Sequence, residues 1–336
     1  MFHRRNTFVV CTLTALCAAP SLLHGTVILD PTAPAGLTLY SLGTAPDVAA
    51  SYTNAVEYEG LAISGNNLLL SVANAATAVQ TIWSLPLIRS NHHIVGLGSI
   101  DGSTQVLGYP ADQPERYFGN VMAGGLVPVS GGLIYTTFAN SFLGQNTGGS
   151  TTLLDLTPTG ALTGGLQYVP AGFTGAGQLK ASSTDANGTW YTLNLNGSLG
   201  SYSIGSFTPV ITGVQAFSFD YIPVDATFTA PGVALGDAIH QRLDFYGIDS
   251  NGNPCTPQNG GCSKVIRLVD GDVQVGLGVV RDPVTGDLLF TTGANDIWLL
   301  SDSEPEPSTV VLAVGGIAML GWLRRRRLVS RNTPER

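Results

Sequence analysis

The sequence predicts an all-β fold arranged as a β-propeller, with a separate apolar segment at each end of the chain. Three observations carry this. Only 11% of the residues are charged while glycine numbers 42, and a chain so poor in charge cannot build many amphipathic helices, which need charged faces. A hydrophobic content of 44% nevertheless argues against disorder. Between about Thr26 and Leu300, short β-branched or aromatic runs alternate with Gly/Asn/Asp turns, and no stretch sustains a helical period beyond one short turn at Asp237 to Leu243.

Met1 to about Gly25 reads as a secretory signal. Arg4 and Arg5 give a basic start, and Thr7 to Ala19 is a mostly apolar run of signal-peptide length. Cleavage beyond Ala19 or beyond Gly25 both fit. Arg4-Arg5 is an ordinary basic start rather than a folded-export signal, and Cys17 follows Leu16, not the small residue that a lipoprotein anchor needs. A hydrophobic first strand is the plainer alternative.

The central region, 26–300, carries the strands. Leu68 to Val72, Leu133 to Thr137, Trp190 to Leu193 and Leu288 to Thr292 are the clearest. Turns at Gly65-Asn66-Asn67, Ser130-Gly131-Gly132, Asp185 to Gly188 and Asp282 to Asp287 precede them. A faint repeat runs through: a glycine-led strand, a tight turn, then a Thr-rich strand. Its copies begin near Gly60, Gly125, Gly177 and Gly276, and several are followed by a further short strand such as Ile82 to Leu85 or Asp296 to Leu299. Units of three or four antiparallel strands, repeated, are the mark of a propeller. The copies are unevenly spaced, so insertions or degenerate blades fill the gaps, and Phe217 to Asp220 opens a blade inside the longest. A region of about 275 residues at roughly 45 per blade predicts six blades, with five or seven also fitting. A β-sandwich with long loops is the competing architecture. On the propeller reading Trp83, Trp190 and Trp298 pack between blades; a sugar-stacking role is the sharper alternative for each.

Without the two ends, seven basic and 19 acidic residues remain, a net charge near −12. That opposes nucleic-acid binding, which needs a basic surface. Cys11 and Cys17 leave with the signal; Cys255 and Cys262 remain, and in an exported protein the pair reads as a disulfide across a loop.

Catalytic motifs are absent: there is no Gly-x-Ser-x-Gly elbow, no His-Glu-x-x-His and no phosphate loop. His92 and His93 are neighbours, so on a strand they face opposite ways and cannot share one metal ion; a solvated strand end or loop is the plain reading. His240 lies near Asp237, Arg242 and Asp244, the best polar cluster in the chain, which salt bridges explain most simply. Asp249, Asn251 and Asn253 place oxygens at alternate positions, as a Ca²⁺ loop begins, but Pro254 and Gly260 stand where an EF-hand has glycine and glutamate. An Asn/Gly turn is therefore the default there, with no cofactor expected.

The C-terminal segment is the most specific feature. Val310 to Leu323 carries no charge; as a helix it would rise about 21 Å, short of the ~30 Å bilayer core. Arg324, Arg325, Arg326 and Arg327 follow it, able to snorkel to the headgroups, and by the positive-inside tendency they put the C-terminus in the cytoplasm. Trp322 fits an interfacial anchor. A core helix with a basic tail is the alternative. Pro305-Glu306-Pro307-Ser308-Thr309, the short span and the four arginines together resemble the PEP-CTERM sorting domain of Gram-negative bacteria, over residues 304–327. That resemblance implies recognition by a membrane protease-transpeptidase, an exosortase, that acts near the Pro-Glu-Pro and releases the protein to the cell surface. Residues 328–336 extend beyond the usual position of the basic cluster. The last repeat copy also resembles blades of secreted NHL-like and related six-bladed propellers.

The expected organisation is a signal peptide (1–25), a propeller-like domain (26–300), a Pro-Glu-Pro linker (301–309), a transmembrane helix (310–323) and a basic cytoplasmic tail (324–336). The expected protein is non-catalytic. It passes the inner membrane, is held there by its C-terminal anchor until an exosortase acts, and binds polysaccharide or protein at the cell surface or in the exopolysaccharide matrix. A secreted glycan hydrolase or lyase is the rival. An enzyme would bring several carboxylates or histidines to the mouth of the central channel; a binder would bring aromatics and few titratable groups.

Overall fold

The structure, a computed structural model, describes residues 26–302 except 46–55, 75–79, 99–104, 108–121, 138–140, 149, 157–163, 185–186 and 257–264. Both terminal segments, with Pro305, Glu306, Pro307 and the four arginines, lie outside the described residues.

Five antiparallel sheets stand around one axis. The chain first lays down two short strands, β1 (Val27–Leu29) and β2 (Thr38–Gly43), used later by other blades. Blade 1 is β3 (Val56–Ser64), β4 (Asn67–Asn74), β5 (Gln80–Ser90) and β6 (His93–Leu97), with β7 (Gln105–Leu107) also pairing β5. Blade 2 is β8 (Met122–Val129), β9 (Gly132–Thr137), β10 (Phe142–Asn146) and β11 (Thr151–Asp155). Blade 3 is β12 (Leu166–Tyr168), β13 (Leu179–Ser182), β14 (Trp190–Asn196) and β15 (Ser203–Ile211). Blade 4 is β16 (Ser218–Ile222), β17 (Gly232–Asp237), β18 (Arg242–Gly247) and β19 (Ile266–Gly271). Blade 5 is β20 (Val275–Arg281), β21 (Leu288–Thr292) and β22 (Ile297–Ser301). The innermost strands β3, β8, β12, β16 and β20 pack side by side, and β20 returns to β3.

The N-terminal strands close the ring. β2 pairs β22 as the outer strand of blade 5, and β1 pairs β19 as a fifth strand of blade 4. Two blades thus hold their outer edges with chain from the opposite end of the sequence, and two unpaired edges are removed.

The core is divided among the wedges between blades. One buried cluster joins Leu61, Leu68 and Leu70 of blade 1 to Val280, Leu289 and Leu299 of blade 5. A second joins Leu243 and Leu268 of blade 4 to Val279 and Phe290 of blade 5. The others bridge blades 2 and 3, blades 3 and 4, and blades 1 and 2. Strands of a propeller bury both faces, so these runs are nearly continuous in apolar residues rather than alternating. Trp190 is fully buried with its ring 4.2 Å from that of Phe219 across the blade 3–4 wedge. Trp83 and Trp298 rest, partly buried, on the clusters flanking blade 5. All three tryptophans therefore sit between blades, as the sequence predicts.

The Thr-rich second strands have a specific cause. Thr291 of β21 donates to the Glu59 carbonyl of blade 1 at 2.9 Å and accepts from the Gly278 N–H of its own inner strand at 2.7 Å. Ser182 of β13 donates to the Ala216 carbonyl at 2.8 Å and accepts from the Gly165 N–H at 2.7 Å. Thr136 of β9 donates to the Gly164 carbonyl at 2.7 Å. Each hydroxyl bolts its blade to the next at a buried point where water cannot serve. Blade 4 has Gly236 at this place; there Ser218 of β16 donates instead, to the Gly276 carbonyl at 2.8 Å. No larger residue fits at Gly236, because a Cβ there would meet the Gly276 carbonyl oxygen at 1.9 Å.

Two sequence expectations need correction. Five blades form, one of the counts the sequence left open, rather than the favoured six. Innermost strands begin at Val56, Met122, Leu166, Ser218 and Val275, mostly wider apart than a 45-residue period, since blade 1 alone spends chain on two outer strands. The β-sandwich alternative falls with the ring. The repeat copy near Gly177 is also out of phase: Leu179 lies on a second strand, and the inner strand β12 has only three residues. Phe217 to Asp220 does open a blade, since β16 begins at Ser218.

Candidate axial binding site

The five inner strands run the same way and deliver their C-terminal ends to one pocket of about 510 Å³ at the mouth of the axis. β3 supplies Ala62 and Ile63, β8 Val127 and Pro128, β12 Gln167 and Tyr168, β16 Asp220 and Tyr221, and β20 Val280 and Arg281. Prolines 170, 223 and 283, with Phe173, complete the wall. Proline recurs at the inner-strand ends because an axial edge has no further ladder to join, so a missing N–H costs nothing there. Val224 and Val284, 59% and 63% exposed, follow two of these prolines and extend an apolar rim.

Asp220 is the carboxylate of the pocket. Its Oδ1 accepts from the Gln167 amide at 3.2 Å and the Tyr221 N–H at 2.8 Å, and its Oδ2 from the Arg281 N–H at 2.7 Å. Burial outweighs these hydrogen bonds and pushes its pKa up to about 6. Gln167 is held in turn, its Oε1 accepting from the Tyr168 N–H at 3.0 Å. Burial likewise raises the Tyr168 and Tyr221 hydroxyls, and the Tyr221 hydroxyl donates to the Gly252 carbonyl at 2.8 Å. Phe173 meets Tyr221 edge to face at 5.4 Å. Lys180 of β13 is fully buried, donating to Gln178 and Thr192, and burial lowers its pKa to about 8.

The pocket therefore combines planar hydrogen-bonding groups with aromatic and proline surfaces. No histidine lines it, and Asp220 is its sole carboxylate among the described residues. Glu59, three residues before Ala62 on β3, is buried with its pKa driven well above the usual range by desolvation and then by Glu57. It lines no part of the pocket.

The residues singled out in the sequence lie elsewhere. His240, Asp237, Arg242 and Asp244 do come together, at the opposite end of blade 4. His240 Nδ1 is 2.7 Å from Asp237, Arg242 reaches Asp237 at 3.1 Å and Asp244 at 2.8 Å, and Arg267 joins Asp244 at 3.6 Å and Asp270 at 3.3 Å. Charges of opposite sign alternate and pair, a salt-bridge lattice around a cavity of about 150 Å³. His92 sits in a hairpin turn at φ 65°, whereas His93 begins β6 and turns inward to Asp287 at 3.3 Å and Ser301 at 3.2 Å. Asp249 closes an Asx turn: its Oδ1 accepts from the Asn251 and Asn253 N–H groups, and the Asn253 amide reaches both of its oxygens. No group of three or more His, Cys, Asp or Glu among the described residues could hold a metal ion. Cys255 is buried, and Cys262 lies outside the described residues.

Sequence reasoning missed Gln167, Tyr168, Asp220 and Arg281 as site residues. A usable signal existed in the repeated proline at strand ends: Val127-Pro128-Val129, Val169-Pro170-Ala171, Ile222-Pro223-Val224 and Asp282-Pro283-Val284. Neither the known family models nor the curated proteins include one that matches this chain. No helix among the described residues is long and apolar enough to cross a membrane; the C-terminal apolar segment is not among them.

Proposed function

We propose that this is an exported, surface-sorted protein of the bacterial envelope or exopolysaccharide matrix, whose propeller binds a glycan or protein segment at its axial pocket without catalysis. The observation that carries the binding half is the pocket itself: five strand ends converge on about 510 Å³ lined by prolines, aromatic rings and an amide, with one carboxylate. Such a concave, mainly apolar site with a few fixed polar groups is the usual form of a ligand site. Binding on a glycan array with no change in the glycans supports the reading. Glycosidic cleavage abolished by Asp220→Asn overturns it in favour of a hydrolase or lyase.

That rival has one observation behind it, the Asp220 pKa near 6, which suits a general acid. Glycoside hydrolysis, however, generally needs two carboxylates facing one another across the bond. The pocket offers Asp220 alone among the described residues.

The sorting half rests on the C-terminal segment. The Pro305-Glu306-Pro307 lead, the uncharged run and Arg324 to Arg327 serve as an inner-membrane stop until an exosortase-type enzyme frees the propeller. A chain ending at Asp302 is then exported but not retained in the membrane fraction, whereas the full chain passes through a membrane-bound precursor. Equal surface retention of both chains refutes this.

A further inference from the structure

Of the arginines described, Arg89, Arg242 and Arg267 each form ion pairs. Arg281 does not. Its backbone N–H is committed to Asp220, but the guanidinium makes no hydrogen bond or ion pair among the described residues, and its buried Nε has no acceptor. It lines the axial pocket, as Gln167 and Tyr168 do. Gly286 makes room for it: a Cβ there would stand 3.0 Å from Arg281 Nη2. The Arg281 charge acts on Asp220 and works to lower that carboxyl's pKa. The Asp220 oxygens, however, take their hydrogen bonds from the Gln167 amide and two backbone N–H groups, Arg281's own included, so among the described residues the guanidinium is a group awaiting an acceptor. The planar guanidinium suits a carboxylate, which it can take in a bidentate manner. Asp220 Oδ2 accepts the Arg281 N–H and keeps a lone pair for a hydroxyl; Gln167 Nε2 keeps one N–H. Tyr168 and Phe173 add aromatic surface to the lining.

We propose that the axial pocket selects a carboxylate-bearing sugar, a uronic-acid residue of an acidic polysaccharide, with Arg281 as the carboxylate anchor and Gln167 and Asp220 on its hydroxyls. This deepens the glycan-binding reading and rests on it. The negative charge of the central domain opposes non-specific binding of polyanions, so selectivity falls to this single cationic point. The recognition is of one ring within the pocket, not of a charged surface track.

The test is titration calorimetry of the propeller domain with oligogalacturonate and, in parallel, a neutral oligosaccharide of the same length, for the wild type, Arg281→Gln and Gln167→Ala. The expected result is binding of the acidic oligomer at least tenfold tighter than of the neutral one. Arg281→Gln should remove that preference while binding of the neutral oligomer changes less than threefold, and Gln167→Ala should weaken both. Circular dichroism establishes that each variant is folded. Equal affinity for the two oligomers, or a preference that survives Arg281→Gln, overturns the anchor while leaving the glycan reading intact. No binding of either, with a peptide library giving hits instead, overturns both.

Discussion

Replacing Thr291 by valine tests how the ring is closed. Its hydroxyl is fully buried at the seam between the last blade and the first, taking the Gly278 N–H at 2.7 Å and giving to the Glu59 carbonyl at 2.9 Å. Valine matches the shape but offers no polar atom, so the substitution isolates the hydroxyl. It strands a buried N–H, costing about 1–3 kcal/mol, and removes one further hydrogen bond worth about 0.5–1.5 kcal/mol. The carbonyl tolerates the loss better than the N–H does. The expected destabilisation is about 2–4 kcal/mol. Thr136→Val, which removes the single bond to the Gly164 carbonyl rather than two, should cost about half as much. Thr291→Ser keeps the hydroxyl and sheds one methyl, for about 0.5–1.5 kcal/mol. The assay is urea unfolding of the propeller domain followed by tryptophan fluorescence, with free energies from midpoints at a common slope. If valine and serine lose the same amount, or if Thr291→Val stays within about 0.5 kcal/mol of the wild type, the hydroxyl bolts are not what joins the blades.

Three other outcomes are expected. Asp220 has a folded-state pKa of about 6 against an ordinary value of about 3.9, so the folded protein holds a proton that the unfolded chain releases between roughly pH 4 and 6. Stability should fall as pH rises through that window, by up to about 3 kcal/mol from this group; Asp220→Asn should flatten that part of the pH–stability curve, and an unchanged slope would count against the buried carboxylate. Arg89 grips Asp282 with Nε at 2.7 Å and Nη2 at 2.9 Å and also reaches Asn66 at 3.0 Å, tying the turn of blade 5 to blade 1. Burial works against ionisation of Asp282, but Arg89, the Val284 N–H and the Thr285 hydroxyl together hold its pKa below the usual value. Arg89→Met should therefore cost about 3 kcal/mol at pH 7, with the difference shrinking as pH falls through the Asp282 titration below about 4; a constant difference across pH would point to lost packing instead. Trp190→Ala empties the blade 3–4 wedge and should cost about 3–5 kcal/mol, read from the same urea curves; a loss below 1 kcal/mol would mean that the wedge recloses.

The chain alone makes the local grammar legible: strands bounded by glycine and asparagine turns, Thr-rich second strands, and tryptophans expected between blades. Leu133 to Thr137 and Leu288 to Thr292 are readable because each is a β-branched or aromatic run long enough to state its own conformation. β12 is not, being three residues whose strand state comes from pairing with β13. Blade number depended on closure, since β1 and β2 pair with strands that lie more than 200 residues later, and no local pattern records such a pairing. The axial pocket is a tertiary product for the same reason. Each inner strand gives it two residues, Gln167, Asp220 and Arg281 among them, ordinary in their own neighbourhoods. Only the ring brings them within reach of one ligand and leaves the Arg281 guanidinium without a hydrogen-bond partner among the described residues.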